Sequence, residues 1–275
     1  MTLELVVSQG RIADRTPGAI PGAAATAKVL QACTGLVPKI IGVPSPPKFD
    51  DWSSSLPEAT DTLAALQAEL SNVLERGNTP LIVANTCAAS LATLPVVARK
   101  HPQTTVVWID AHGDFNTPQT TDSGYLGGMV LAAACGYWES GFGGGIDPAK
   151  VVIAGARDID QAEERLLRQA GVRLLSPGQT TAESVLSAIG DGPVWIHVDW
   201  DVLKPGYVPA AYAVATGLLP ETLRGIFEKI PAQQIAGIEL AEFEALLDDT
   251  RDATALKFMV DAVLPLLTAS RLRVP

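Results

Sequence analysis

Short runs of Val, Ile and Leu recur along the chain, most of them separated by longer stretches whose apolar residues fall at helical spacing. The runs are Leu3 to Val7, Lys39 to Val43, Leu81 to Ala84, Thr105 to Ile109, Val151 to Ala154, Val172 to Leu175, Val194 to Val198 and Ile235 to Leu240. A strand with one wet face alternates apolar and polar residues. Strands that are apolar almost throughout are covered on both faces, as in parallel sheets packed between helices. Helical spacing marks the stretches from Leu56 to Arg76, with Leu63, Leu66, Leu70 and Leu74 on one face, and from Ser90 to Arg99. It marks Gly128 to Ala134, Ala162 to Ala170, Ala182 to Ile189, Pro220 to Lys229 and about Asp252 to Thr268 as well. The expected fold is α/β, three layers (α/β/α) around a mostly parallel sheet of about eight strands. The Gly-, Pro- and Ser-rich stretches Pro44 to Pro57 and Ser140 to Pro148 read as loops and not as linkers, so residues 1–275 are expected to form a single domain.

Parallel sheets place ligands at the carboxyl ends of their strands. Three of the runs end there in acidic clusters. Thr105 to Ile109 leads into Asp110-Ala111-His112-Gly113-Asp114-Phe115-Asn116, Val194 to Val198 into Asp199-Trp200-Asp201, and Ile235 to Leu240 carries Glu239 and leads into Glu242 and Glu244. Residues two apart in extended chain point the same way, so Asp110, His112 and Asp114 are expected to converge, as are Asp199 and Asp201. Four aspartates gathered together repel one another unless cations lie among them. Their oxygens, with one imidazole, suit Mn²⁺ or a similar divalent ion. A single Asp-x-Asp is as readily a turn or a helix cap, but two such clusters directly after buried strands are harder to explain that way.

The remaining composition narrows the partners. A net charge of -10 disfavours nucleic acid and anionic membrane surfaces. No apolar run approaches the roughly 18–20 residues of a membrane span. Three scattered cysteines, Cys33, Cys87 and Cys135, do not make a disulfide framework, and the first residues carry no secretory pattern. A cytoplasmic protein acting on a small molecule is expected.

The segments DAHGDFNTPQTTDSG (Asp110 to Gly124) and HVDWDVLKP (His197 to Pro205) resemble the two signature motifs of the ureohydrolase family of arginases, agmatinases and formiminoglutamases. ARDID (Ala156 to Asp160) and GIELAEFEA (Gly237 to Ala245) stand in the matching order around them. The resemblance implies an arginase-like fold and a pair of Mn²⁺ ions. Asp110 and Asp199 would bridge them, Asp114 would complete one ion, and His112 and Asp201 the other. A hydroxide held between the ions would attack a guanidino carbon, and Glu242 would hold the guanidino group. Asn116, Thr121 and Ser123 match positions that bind a substrate's α-carboxylate, and Asp160 one near its α-amino group. An arginine-type amino acid is therefore expected over agmatine.

Two departures bear on this expectation. Cys87 stands where the family places its first metal-binding histidine, and its thiolate is the expected substitute. Gly127 stands where arginases have a histidine proposed to pass a proton to the leaving group. The chain holds only His101, His112 and His197, and none falls there. An N-hydroxyguanidine is less basic than a guanidine and has less need of that proton. This pattern resembles the branch of the family in D-cycloserine biosynthesis, implying hydrolysis of Nω-hydroxy-L-arginine to L-ornithine and hydroxyurea. An arginase giving urea is the first rival. Another ureohydrolase, such as an agmatinase or a formiminoglutamase, is the second, and a non-catalytic relative that binds metal or an amino acid is the third. Relatives are often trimers or hexamers; oligomeric state is not readable here, and a monomer is compatible with the sequence.

Overall fold

The computed structural model describes residues 2–269. Eight strands form one sheet: β1 (Leu3–Ser8), β2 (Lys39–Ile41), β3 (Thr79–Val83), β4 (Thr105–Ile109), β5 (Val151–Ala154), β6 (Arg173–Leu175), β7 (Val194–Asp199) and β8 (Ile235–Ala241). Their order is β2-β1-β3-β8-β7-β4-β5-β6, and every pairing is parallel. The expected α/β architecture is therefore present, with no antiparallel strand among the described residues.

Among the described residues eight α-helices cover the sheet: α1 (Ala19–Thr34), α2 (Trp52–Glu75), α3 (Ser90–Lys100), α4 (Val130–Ala134), α5 (Gln161–Ala170), α6 (Ala182–Ile189), α7 (Pro220–Phe227) and α8 (Asp249–Ala269). Side chains from α2, α3, α4 and α5 pack with Val106, Trp108 and Trp195 on one face. Those from α1, α6, α7 and α8 pack with Val107, Ile109, Ile196 and Val198 on the other. Alternate residues of β4 and β7 thus feed opposite cores, which is why both strands are apolar along their length. Among the described residues, no helix is long and apolar enough to cross a membrane.

The structure differs from the sequence reading chiefly at the N-terminal end. Helix α1 is absent from that reading. Its buried stripe consists mainly of Ala19, Gly22, Ala23, Thr26 and Ala27, with Ile20 and Leu30 the only large apolar members. Small residues let this helix lie close: a β-carbon on Gly22 would stand 1.7 Å from the Phe243 carbonyl oxygen. Helix α2 starts at Trp52, four residues before the expected Leu56. The Asp51 carboxylate accepts the Ser54 backbone N–H and caps it. Pro57 lies inside α2, but both Pro57 and Ser53, four residues back, are exposed, so the missing bond faces water.

Candidate metal centre and active site

Asp110 follows β4 directly and is fully buried. Its carboxylate accepts the Trp108 indole N–H at 2.9 Å and the His112 backbone N–H at 2.7 Å. The His112 ring turns back, placing Nδ1 3.0 Å from Asp201 and 3.4 Å from Asp110. Asp114 is brought in by a different route from the one expected. The segment after Ile109 leaves the strand, and Asp114 has a left-handed backbone, φ 48°. Its carbonyl accepts Leu131 N–H at the start of α4, which fixes this turn. Gly113 permits it: a β-carbon there would lie 2.7 Å from the Glu163 carboxyl carbon.

Asp199 ends β7, and its carboxylate accepts the Asp201 backbone N–H at 2.8 Å; Asp201 turns toward Asp110 and Asp199 toward Cys87 and Glu242. Cys87 opens a single helical turn after β3. Its Sγ lies 3.2 Å from Asp199 and 3.3 Å from His197 Nε2, and its N–H donates to Glu242 at 2.8 Å. Glu242, just past β8, also has a left-handed backbone, φ 63°. Four non-glycine residues among those described, Asp114, Thr216, Glu242 and Leu247, occupy this costly region, and two of the four stand at the cluster.

Three overlapping sets of potential ligands result: Cys87, Asp199 and Glu242; Cys87, Asp110 and Asp114; Asp110, His112 and Asp201. Ligand atoms within each set lie within 4.8 Å of one another. The charge balance fits a cation site. Burial, then neighbouring acids, pushes Asp114 and Asp199 well above the carboxylate range and Asp201 up to about 6. Burial pushes Glu242 up to about 8 and raises the Cys87 thiol. His112 is raised although burial opposes it, because Asp110 and Asp201 flank the ring. Asp110 is lowered against its own burial by that same histidine. A divalent ion would relieve the crowding, and oxygen donors with one imidazole and one thiol suit a borderline metal.

Beneath the cluster lies a second buried layer. Trp108, His197 and Glu239 are neighbours across β4, β7 and β8. The His197 ring stacks flat on Trp108 at 3.5 Å, and its Nδ1 lies 3.3 Å from Glu239, which also accepts Ser90 and Thr93 hydroxyls. His197 therefore backs Cys87 and does not join the donor sets. Glu244 points elsewhere: it accepts Gly18 N–H and the Thr16 hydroxyl.

Above the cluster is a cavity of about 260 Å³. Its buried floor includes Cys87, Asp114, Asp199, Asp201 and Glu242, with the partly buried His112 beside them. Its more exposed wall includes Asn116, Ser123, Asp160, Arg15 and Tyr212. Asn116 donates its amide to Asp160 at 3.0 Å, while its carbonyl oxygen is buried without a partner. Asp160 also caps α5 through Ala162 and Glu163 N–H. The Ser123 hydroxyl accepts Tyr125 N–H. Thr121 accepts Gly124 N–H and does not line the cavity. Burial pushes Glu163, between Asp160 and the Asp114 turn, up to about 7.

Sequence reasoning missed three groups here. Tyr125 donates its hydroxyl to Glu242 at 3.0 Å and packs on Tyr212 at 4.9 Å. Arg157 donates to five backbone carbonyls, those of Gly155, Asp201, Val202, Val214 and Ala215, and so ties the turn after β7 to the 214–215 loop. Arg15 reaches the cavity from the loop after β1. Only Tyr125 left a signal, being two residues from the conspicuous Gly127.

Residues 40–264 match the model of the Arginase family, and this span holds every acid of the cluster. The chain belongs to the arginase family. It is 51% identical over 271 residues to the N(omega)-hydroxy-L-arginine amidinohydrolase of Streptomyces lavendulae, covering 98% of this chain and 99% of that one. The arginase of Bacillus caldovelox is 30% identical over 215 residues, 72% of this chain and 71% of its own. The crystal structure of arginase from Bacillus subtilis superposes with a TM-score of 0.83 at 25% identity, covering 97% and 98% of the two chains. The arginase-family fold thus accounts for nearly the whole described chain.

Proposed function

We propose that this arginase-family protein hydrolyses the guanidino group of an arginine-type amino acid, acting on Nω-hydroxy-L-arginine in preference to L-arginine and yielding L-ornithine and hydroxyurea. The observation that carries the reading is the convergence of Cys87, Asp110, His112, Asp114, Asp199 and Asp201 beside Glu242 on the floor of one amino-acid-sized cavity. The substrate preference draws on the relative named for that substrate and on Gly127, which offers no histidine to the leaving group.

Asp110 and Asp199 would be shared by two metal ions, Mn²⁺ in this reading, with Cys87 and Asp114 completing one and His112 and Asp201 the other. Bound there, the ions supply an acidified water and offset the negative charge that builds up during attack. Glu242 faces the planar guanidino group, whose paired N–H donors suit a carboxylate. Tyr125 holds one Glu242 oxygen, which orients the other. Ser123 would serve the α-carboxylate and Asp160, with the Asn116 side chain bonded to it, the α-ammonium, while Thr121, expected to share the carboxylate, does not line the cavity. The unpartnered Asn116 oxygen supports a role as acceptor at this end of the substrate. An oxygen on the guanidine lowers its basicity, so the carbon is open to attack without a strong proton donor beside it. A cytoplasmic location, which draws on the three scattered cysteines, and a place in D-cycloserine biosynthesis, which draws on the sequence resemblance, belong to the same reading.

Steady-state hydrolysis by the purified, Mn²⁺-loaded protein tests this. Higher kcat/KM on Nω-hydroxy-L-arginine than on L-arginine is expected, with hydroxyurea released. A preference for L-arginine makes the chain an arginase proper, and no turnover of either substrate removes the enzymatic reading.

A further inference from the structure

We propose that Arg15 forms an anion subsite at the cavity mouth and anchors the α-carboxylate of the substrate. The inference rests on the hydrolase reading above and names a recognition group that the family motifs in this chain do not contain.

Arg15 is the only lysine or arginine lining the cavity, whose other charged groups are acidic apart from His112 on the floor. Its guanidinium is held firmly. Nε and Nη2 donate to the Asp50 carbonyl at 3.0 and 2.6 Å, and Nη2 donates to the Ser123 carbonyl at 3.2 Å. The group lies over Phe49 at 4.6 Å and over Tyr125 at 4.9 Å. These carbonyls and rings position the cation without neutralising it. Among the described residues no carboxylate lies within ion-pair distance of Arg15. Arg11, by contrast, pairs with both Asp50 and Glu58. An oriented guanidinium with uncompensated charge on a cavity wall is prepared for an anion.

The neighbouring groups point to a carboxylate. One Asn116 N–H is given to Asp160 and Thr121 does not line the cavity, so the Ser123 and Tyr212 hydroxyls are the neutral O–H donors on this wall. Arg15 is bonded to the carbonyl of that same serine. Charge also fixes direction. The acidic floor draws the guanidino end of the substrate inward, and the Arg15 cation repels that end and attracts the carboxylate. Tyr125 links the two poles, with its ring under Arg15 and its hydroxyl on Glu242.

The test compares wild type, Arg15→Gln and Arg15→Lys, each checked for an unchanged melting temperature. The substrates are Nω-hydroxy-L-arginine and its decarboxylated amine. A hydrogen bond to a charged group accounts for about 10- to 100-fold in binding. Arg15→Gln should raise KM for the amino acid by about that factor with little change in kcat, and should not lower kcat/KM for the amine. Arg15→Lys should recover part of the loss. Calorimetric binding of L-ornithine and of 1,4-diaminobutane to the Mn²⁺-loaded proteins reads the same subsite without turnover. Wild type should favour ornithine, and Arg15→Gln should lose that preference. Equal losses on carboxylated and decarboxylated ligands, or no loss on either, overturn the proposal. If the protein hydrolyses neither substrate but binds ornithine through Arg15, the hydrolase reading fails and the subsite stands.

Discussion

The ring of Tyr125 fills the space into which a side chain on Gly127 would grow: a β-carbon there would lie 2.4 Å from Tyr125 Cε1. The glycine is thus coupled to the tyrosine whose hydroxyl holds Glu242. Restoring the family histidine with Gly127→His alone should displace the ring and release Glu242. Overpacking of this kind costs about 1–3 kcal/mol, measurable by urea unfolding, and kcat/KM should fall for every guanidino substrate. Gly127→His combined with Tyr125→Ala should regain the stability lost to the clash. Equal stability of Gly127→His and wild type would show that the ring is free to leave.

The crowded acids predict how the metal-free protein responds to pH. Glu163, Asp201 and Glu242 have folded pKa values of about 7, 6 and 8, each above the ordinary value. The folded protein therefore keeps protons that the unfolded chain has released, and its stability falls as pH rises through those intervals. His112 adds the same sign: its raised pKa stabilises most below its ordinary value, and the gain fades as pH climbs. Asp110 has the opposite sign, but its window lies below 3.8. The melting temperature of chelated protein should drop between about pH 5 and 8. Saturating Mn²⁺ should flatten or reverse that slope. Glu163→Gln, outside the donor sets, should remove a part of it worth about 3 kcal/mol. A chelated protein most stable at pH 8 would contradict this balance.

Asp110 joins two of the three donor sets and is fixed by Trp108 and His112. Asp110→Asn keeps the shape and removes the charge. Turnover should fall on the order of 10³-fold, the scale of a lost electrostatic group in a dry site. Metal per chain should fall in parallel by elemental analysis. Full activity in this variant would exclude a cation pair from the reaction.

Arg157 makes its hydrogen bonds only to carbonyls, so its loss acts through the backbone carrying Asp201. Hydrogen bonds to charged groups contribute about 1.5–3 kcal/mol each, and Arg157→Ala breaks several. Destabilisation of more than about 3 kcal/mol is expected, with faster amide exchange over residues 201–216. Arg157→Lys, which lacks the planar fork, should rescue only part of it.

The strands were readable because burial on both faces leaves an uninterrupted apolar run, and the acids because they follow those runs directly. Helix α1 was not, since a stripe of Ala, Gly and Thr has almost no contrast with its surroundings. The start of α2 was hidden by Pro57, which normally marks a helix boundary. At the site, the spacing of Asp110, His112 and Asp114 suggested convergence along an extended strand. The chain instead uses a left-handed turn at Asp114 and a close approach at Gly113. Arg15 was beyond reach, because nothing in its own neighbourhood records that the fold sets it against Ser123, 108 residues away.

Cys87 lies 112 residues from Asp199 and 155 from Glu242 along the chain, and the three meet only because β3, β8 and β7 are adjacent in the sheet. No contiguous peptide from this protein carries the full donor set. Tight chelation should therefore arise late in folding, when these central strands align, and metal uptake would time the completion of the sheet.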